Sequence, residues 1–137
     1  MIKKRNIILA GKVGFGLGRH FDKLVDENIE KIRQELKGKS DHEILAILSK
    51  DGFKIQGLSR KNQTIERCKI AVNQQPFSIR YVKNQTVQLC LNLLVNHPKS
   101  KEYGIYRFIH IVPNDDHETT LNNLKNKKEI LESLNAI

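Results

Sequence analysis

The spacing of apolar residues changes near residue 75, and that change constrains the fold of this chain more than any other feature. Up to that point the spacing is helical. Phe21, Leu24, Val25, Ile29, Ile32 and Leu36 fall on one face of a helix over 21–37. Asp22, Asp26, Glu27 and Glu30 load its first half with acid, Arg33 and Lys37 close it as the helix dipole prefers, and Gly38 is placed to stop it. Ser40 and Glu43 have the spacing of a capping box and open a second helix, in which Ile44, Leu45, Ile47 and Leu48 face inward until Asp51-Gly52 ends it. After "FKIQGL", Ser59 can cap a third helix over 60–72, with Ile65, Cys68, Ala71 and Val72 as its buried side.

Beyond "NQQP" the period becomes two. Phe77, Ile79 and Tyr81 alternate with polar residues, as do Val87, Leu89, Leu91, Leu93 and Val95, and "YGIYRFIHIV" reads as a third strand closed by Pro113. A helix with Leu121, Leu124, Ile130, Leu131, Leu134 and Ile137 as its stripe finishes the chain. The expected fold class is α+β. Residues 1–20 form a basic, glycine-rich arm, 21–75 a three-helix unit, and 76–137 a three-stranded antiparallel sheet with a terminal helix. That last part completes the core and offers a surface for a homodimer or a larger assembly. No internal repeat or low-complexity tract stands out.

Charge narrows the function. Twenty-four Lys and Arg face fifteen Asp and Glu, a net +9, which favours polyanionic partners. The excess is concentrated early: residues 1–20 are net +5, 50–72 net +4, and 76–137 only +2. No apolar run reaches the ~20 residues of a membrane helix, so no membrane partner is expected. Cys68 and Cys90 lie inside apolar patterns, as buried thiols of a cytoplasmic protein do.

The third helix carries the sharpest signal. Arg60 and Lys61 are the residue types that pair with guanine, and Asn62 and Gln63 those that pair bidentately with adenine, followed by Thr64 and Arg67 on the same polar face. With its predecessor it forms "KSDHEILAILSKDGFKI…SRKNQTIERC", which resembles the helix-turn-helix of transposases, plasmid regulators and related DNA-binding proteins at Ser40, Glu43, Ile44, Leu48, Gly52, Ser59, Arg60, Thr64 and Ile65. The resemblance implies a non-enzymatic DNA-binding protein, a small regulator or accessory factor of a mobile element, with helix 60–72 in the major groove. The alternative is a basic subunit of a ribonucleoprotein or larger assembly that binds RNA.

The remaining motifs bear on cofactors and catalysis. Gly11, Gly14, Gly16 and Gly18 follow the strand-like "NIILA", but they make neither a G-x-G-x-x-G nor a P-loop, so no nucleotide cofactor is expected. The stretch is expected to serve as a flexible arm whose Lys3, Lys4, Arg5, Lys12 and Arg19 touch phosphates. "EYGIYRF" holds the Gly-Ile-Tyr of GIY-YIG nucleases without its Tyr-Ile-Gly partner. His110, Asp115, Asp116, His117 and Glu118 are hard-metal ligand types, but neighbours in such a loop cap the next helix, and no metal is expected.

Overall fold

The computed structural model describes residues 15–136, with side chains from residue 24 onward. Two compact parts divide the chain, 1–37 and 38–137. In the first, α1 (Phe15–Leu36) starts earlier than the apolar spacing predicts, so that Gly16 and Gly18 lie inside a helix instead of in an arm. Ile32 and Leu36 are buried, whereas Leu24 and Val25 are exposed. Gly38 follows at φ +75, the left-handed conformation that ends a helix and suits glycine. The expected strand "NIILA", Gly11 and Gly14 lie outside the described residues.

The second part overturns the α+β expectation: among the described residues there is no strand and no sheet. The three stretches read as strands are a 3-10 helix (Pro76–Tyr81), the α-helix α4 (Val87–Asn96) and a 3-10 helix (Ile105–Phe108). The reason is visible in α4. Its inward side is Leu89, Cys90, Leu93 and Leu94, with Leu91 also buried, and Val95 is exposed. Apolar residues at 89–91 and 93–95, parted only by Asn92, satisfy both periods, and the buried Cys90 and Leu94 decide for the helical one.

A module of α-helix, extended corner and 3-10 helix occurs three times, contrary to the sequence reading of no repeat. Helices α2 (Asp41–Lys50), α3 (Ile65–Gln74) and α4 are capped by Ser40, Thr64 and Thr86, whose hydroxyls accept from the backbone N–H of Glu43, Arg67 and Leu89. Each ends at an extended residue, Asp51, Gln75 or His97, whose N–H donates to the carbonyl of Ile47, Ala71 or Leu93. A 3-10 helix follows, over Gly52–Gly57, Pro76–Tyr81 and Ile105–Phe108. Buried residues recur in register: Ile44, Cys68 and Cys90; Leu48, Val72 and Leu94; Ile55, Ile79 and Ile105; Leu58, Val82 and Ile109. In the third module the residues 98–104 separate the corner from a shorter 3-10 helix, so that Ile109 stands five residues farther from its capping threonine than Val82 does.

Neighbouring modules pack α2 on α3 and α3 on α4, and α5 (His117–Asn135) covers α4 at the far end. Asp116 caps α5 through a 2.7 Å bond from the Thr119 N–H, and that bond holds its carboxyl below the usual carboxylate range. The first turns of α5 bury Thr120 and Leu124; farther along, Ile130, Leu131 and Leu134 are exposed. Gly52 brings the first 3-10 helix against α3 so closely that a Cβ there would collide with the Ala71 carbonyl. Burial raises the Cys68 thiol to about 11 and the Cys90 thiol to about 12.

Two glutamines tie the modules together. The Gln63 side-chain NH2 donates to the carbonyls of Ile55 (3.2 Å), Leu58 (3.3 Å) and Tyr81 (2.9 Å), and its carbonyl accepts from the Lys83 N–H (2.9 Å). One module further on, Gln85 donates to the carbonyls of Ile79 (3.4 Å) and Phe108 (2.7 Å) and accepts from the His110 N–H (2.8 Å). Both follow Lys-Asn and precede the capping threonine in identical "KNQT" segments, 61–64 and 83–86.

Removing the Gln63 amide leaves several backbone groups unpaired between modules. Gln63→Ala should therefore lower the unfolding free energy by about 2–4 kcal/mol, while the exposed neighbour change Asn62→Ala stays within about 0.5 kcal/mol. Urea denaturation followed by circular dichroism measures both.

Candidate nucleic-acid interface

The residues expected on one recognition helix are divided among three local structures. Arg60, Lys61 and Asn62 form a separate 3-10 turn that begins at Ser59, and α3 itself starts only at Ile65. Ser59 makes no side-chain cap. The reason for the break is Gln63, which is 8% exposed and engaged by the four bonds above. A side chain held in that way reads no base, which corrects its place among the binding residues. Thr64 spends its hydroxyl on capping α3.

Arg67 is also committed within the fold. Its guanidinium lies 2.9 Å from the Asp41 carboxylate and donates to it from Nε at 3.0 Å, while Nη1 donates to the Asn62 carbonyl at 2.9 Å. Only 13% of the side chain is accessible, so Arg67 braces the start of α2 against the turn before α3. Ile65, expected in the core, is instead 75% exposed at the start of α3. The connection from α2 to α3 thus holds two 3-10 segments and a buried amide, in place of a short turn between two helices.

Of the remaining expected residues, Arg60, Lys61 and Asn62 are exposed. Arg60 donates from Nη1 to the Lys83 carbonyl at 3.2 Å and to the Asn84 side-chain oxygen, which joins two successive linkers. Arg19 falls in α1. Lys3, Lys4, Arg5 and Lys12 lie outside the described residues.

What the structure does bring together is the set of linkers. The segments 52–63, 76–85 and 103–114 contain Lys54, Arg60, Lys61, Arg80, Lys83 and Arg107 and not one Asp or Glu. Gln63 joins the first segment to the second, and Gln85 joins the second to the third. The result is one edge of the second part, built from successive linkers. The acids of this part lie outside these segments, with Asp51, Glu102 and Asp115 directly beside them and the rest in or at the starts of α2, α3 and α5.

Aromatic rings run along the same edge. Phe53 meets Tyr81 edge to face at 6.2 Å, and Phe77 meets Phe108 at 6.1 Å. The Arg80 guanidinium lies over both the Tyr81 ring (5.6 Å) and the Phe108 ring (4.9 Å), and Arg107 lies over Tyr106 at 6.0 Å. Such stacking holds a guanidinium in place with its donors still turned to solvent. Arg80, Lys83 and Arg107, the main cations here, were missed by sequence reasoning because Arg80 and Arg107 fell in expected strands and Lys83 in the turn expected between two of them. Their signal was the absence of acid from three windows spaced about a module apart.

The sequence-level alternatives find no assembled site in this geometry. Among the described residues, no three His, Cys, Asp or Glu side chains stand together as a metal cluster. The Ile105 of "GIY" is buried in the third module's core, behind the left-handed Gly104. Also among the described residues, no helix is long and apolar enough to cross a membrane.

The two roles of the 60–67 stretch separate by mutation. Arg67→Ala should cost about 1 kcal/mol of stability, since its partner Asp41 is well exposed, whereas Lys61→Ala should stay within about 0.5 kcal/mol. Paired chemical denaturation curves decide it. No protein-family model, curated protein or solved structure matches this chain.

Proposed function

We propose that this chain is a non-enzymatic nucleic-acid-binding protein that lays a phosphate backbone along the basic linker edge. The observation that carries the reading is the set of six cations without an acid in three linkers held side by side by the carboxamides of Gln63 and Gln85. A backbone of evenly spaced phosphates is the polyanion that a row of spaced cations fits. The edge offers guanidinium and ammonium groups with aromatic rings between them, the combination that grips nucleic acid without reading its sequence.

Sequence-specific reading in the major groove has less support. It needs a helix end that presents base-reading amides, and of the two amides expected there Gln63 is buried while Asn62 sits on a 3-10 turn. The chemistry of the edge is holding rather than bond breaking. DNA and RNA share the recognised backbone.

If five of these cations meet phosphates, the log–log slope of duplex affinity against salt should be about −4.5. Lys61→Ala with Lys83→Ala should reduce that slope by about 2 and weaken binding to unrelated sequences alike. Fluorescence anisotropy with labelled duplexes over a salt series measures both. Absence of binding at low salt, or a slope near zero, would overturn the proposal.

A further inference from the structure

The third module is where the array departs from its own pattern, and the departure builds a cavity. Residues 98–104 are held in a fixed shape. Ser100 is buried, with its N–H donating to the His97 carbonyl at 2.9 Å and its hydroxyl to the Leu94 carbonyl at 3.5 Å. Ile105 N–H returns to the Ser100 carbonyl at 3.0 Å, Tyr103 N–H bonds the Lys99 carbonyl at 3.0 Å, and Gly104 turns the chain at φ +66. Between this insertion and the corner of the second module lies an open cavity of about 220 Å³, lined by Phe77, Tyr103, Gln75, His97 and Lys99 among others.

We propose that this cavity takes one unpaired base of a bound nucleic acid strand, so that the preferred substrate class is single-stranded. Three features of the lining fit a nucleotide. The Phe77 and Tyr103 rings stand 6.0 Å apart at 41°, and Tyr103 is 51% exposed, so an aromatic face is open to a flat heterocycle. The Gln75 carboxamide and the His97 imidazole supply both donors and acceptors for a base edge. Lys99, exposed at the rim, supplies the cation for the attached phosphate.

The cavity also joins the basic edge. Phe77 packs on Phe108, and Phe108 carries the Arg80 guanidinium at 4.9 Å. A strand whose phosphates follow the linkers therefore reaches the cavity without leaving the surface. A duplex keeps its bases stacked inside and presents none to such a pocket. Insertions that interrupt one repeat of an array are commonly where binding specificity is placed.

The inference rests on the nucleic-acid reading above, and the experiment separates the two. The probes are labelled oligo-dT and oligo-rU of equal length and a mixed-sequence duplex, titrated by anisotropy against wild type, Tyr103→Ala, Tyr103→Phe and the Lys61→Ala/Lys83→Ala double variant. Tyr103→Ala should weaken binding of both single strands about 10-fold, leave the duplex within twofold, and be rescued by Tyr103→Phe, because stacking and not the hydroxyl is what is lost. Ultraviolet crosslinking of a 5-bromouracil-containing strand should map to Tyr103. If the double variant weakens every probe while Tyr103→Ala changes none, or changes single strand and duplex equally, the cavity is not a base site. If wild type binds no probe at low salt, the nucleic-acid reading itself falls, and the cavity assignment with it. Preference of oligo-rU over oligo-dT would identify the strand as RNA within the proposal.

Discussion

The carboxamides of Gln63, which is buried, and Gln85, which is half-buried, are the interactions on which the second part depends. A 3-10 helix between two α-helices leaves backbone carbonyls and N–H groups that no regular ladder pairs, and burying them unpaired is costly. Each glutamine brings two donors and an acceptor to that place and spends them across the boundary between modules. The apolar registers beside them, Ile55, Ile79 and Ile105 above all, supply the burial, but apolar contact alone does not say which linker lies against which. The amides do. In low dielectric a fully satisfied group of this kind fixes one arrangement and penalises every other.

The same amides explain how like charges come to share an edge. Arg60 reaches the Lys83 carbonyl and Arg80 stacks on Phe108, so two of the cations are held by neutral partners in adjacent linkers rather than by carboxylates. Mutual repulsion among such exposed charges is weak in water and is screened within about 10 Å in ordinary salt. The carboxylates of this part sit mainly at helix starts, where Glu43 and Asp116 each complete a cap. Glu43 is held below the usual carboxylate range by the Ser40 N–H, and that stabilisation is present above its ordinary titration range and is lost as pH falls through the lowered value. Acidification therefore loosens helix ends before it touches the basic edge.

The helical first half was legible in the sequence because local rules act there. The Ser40–Glu43 capping box and the Gly38 stop stand where the sequence predicts, and so, at the other end of the chain, does the Asp116 cap. Residues 76–112 were not legible by periodicity, since a stretch such as 89–95, apolar at every position but Asn92, carries no preference between two and 3.6 until the burial of Cys90 and Leu94 is known. The repeat was written in the chain as "KNQT" at 61–64 and 83–86, but the first module has no counterpart before Ser40 and the third is stretched by 98–104. Gln63 misled for a different reason. Glutamine is mostly an exposed residue, and its neighbours Lys61 and Asn62 do lie at the surface, so nothing local marks it as the buried member of the group. In the candidate interface Arg60, Lys61 and Asn62 were legible, and Arg80, Lys83 and Arg107 became so only once the linkers were seen side by side.

The modular plan carries a consequence for how the chain opens. In an array each module stabilises only its neighbours, so cooperativity is passed along stepwise rather than shared through one centre. The middle module, residues 65–82, takes part in both glutamine staples and packs on both sides, while the first and third have one array neighbour each. Its backbone amides are the ones from which solvent is excluded longest, and opening begins at the margins. The cavity formed by 98–104 lies against one of those margins, at the boundary held by the Gln85 staple, the packing of α3 on α4 and the Phe77–Phe108 contact. A binding surface so placed can breathe without the rest of the array coming apart.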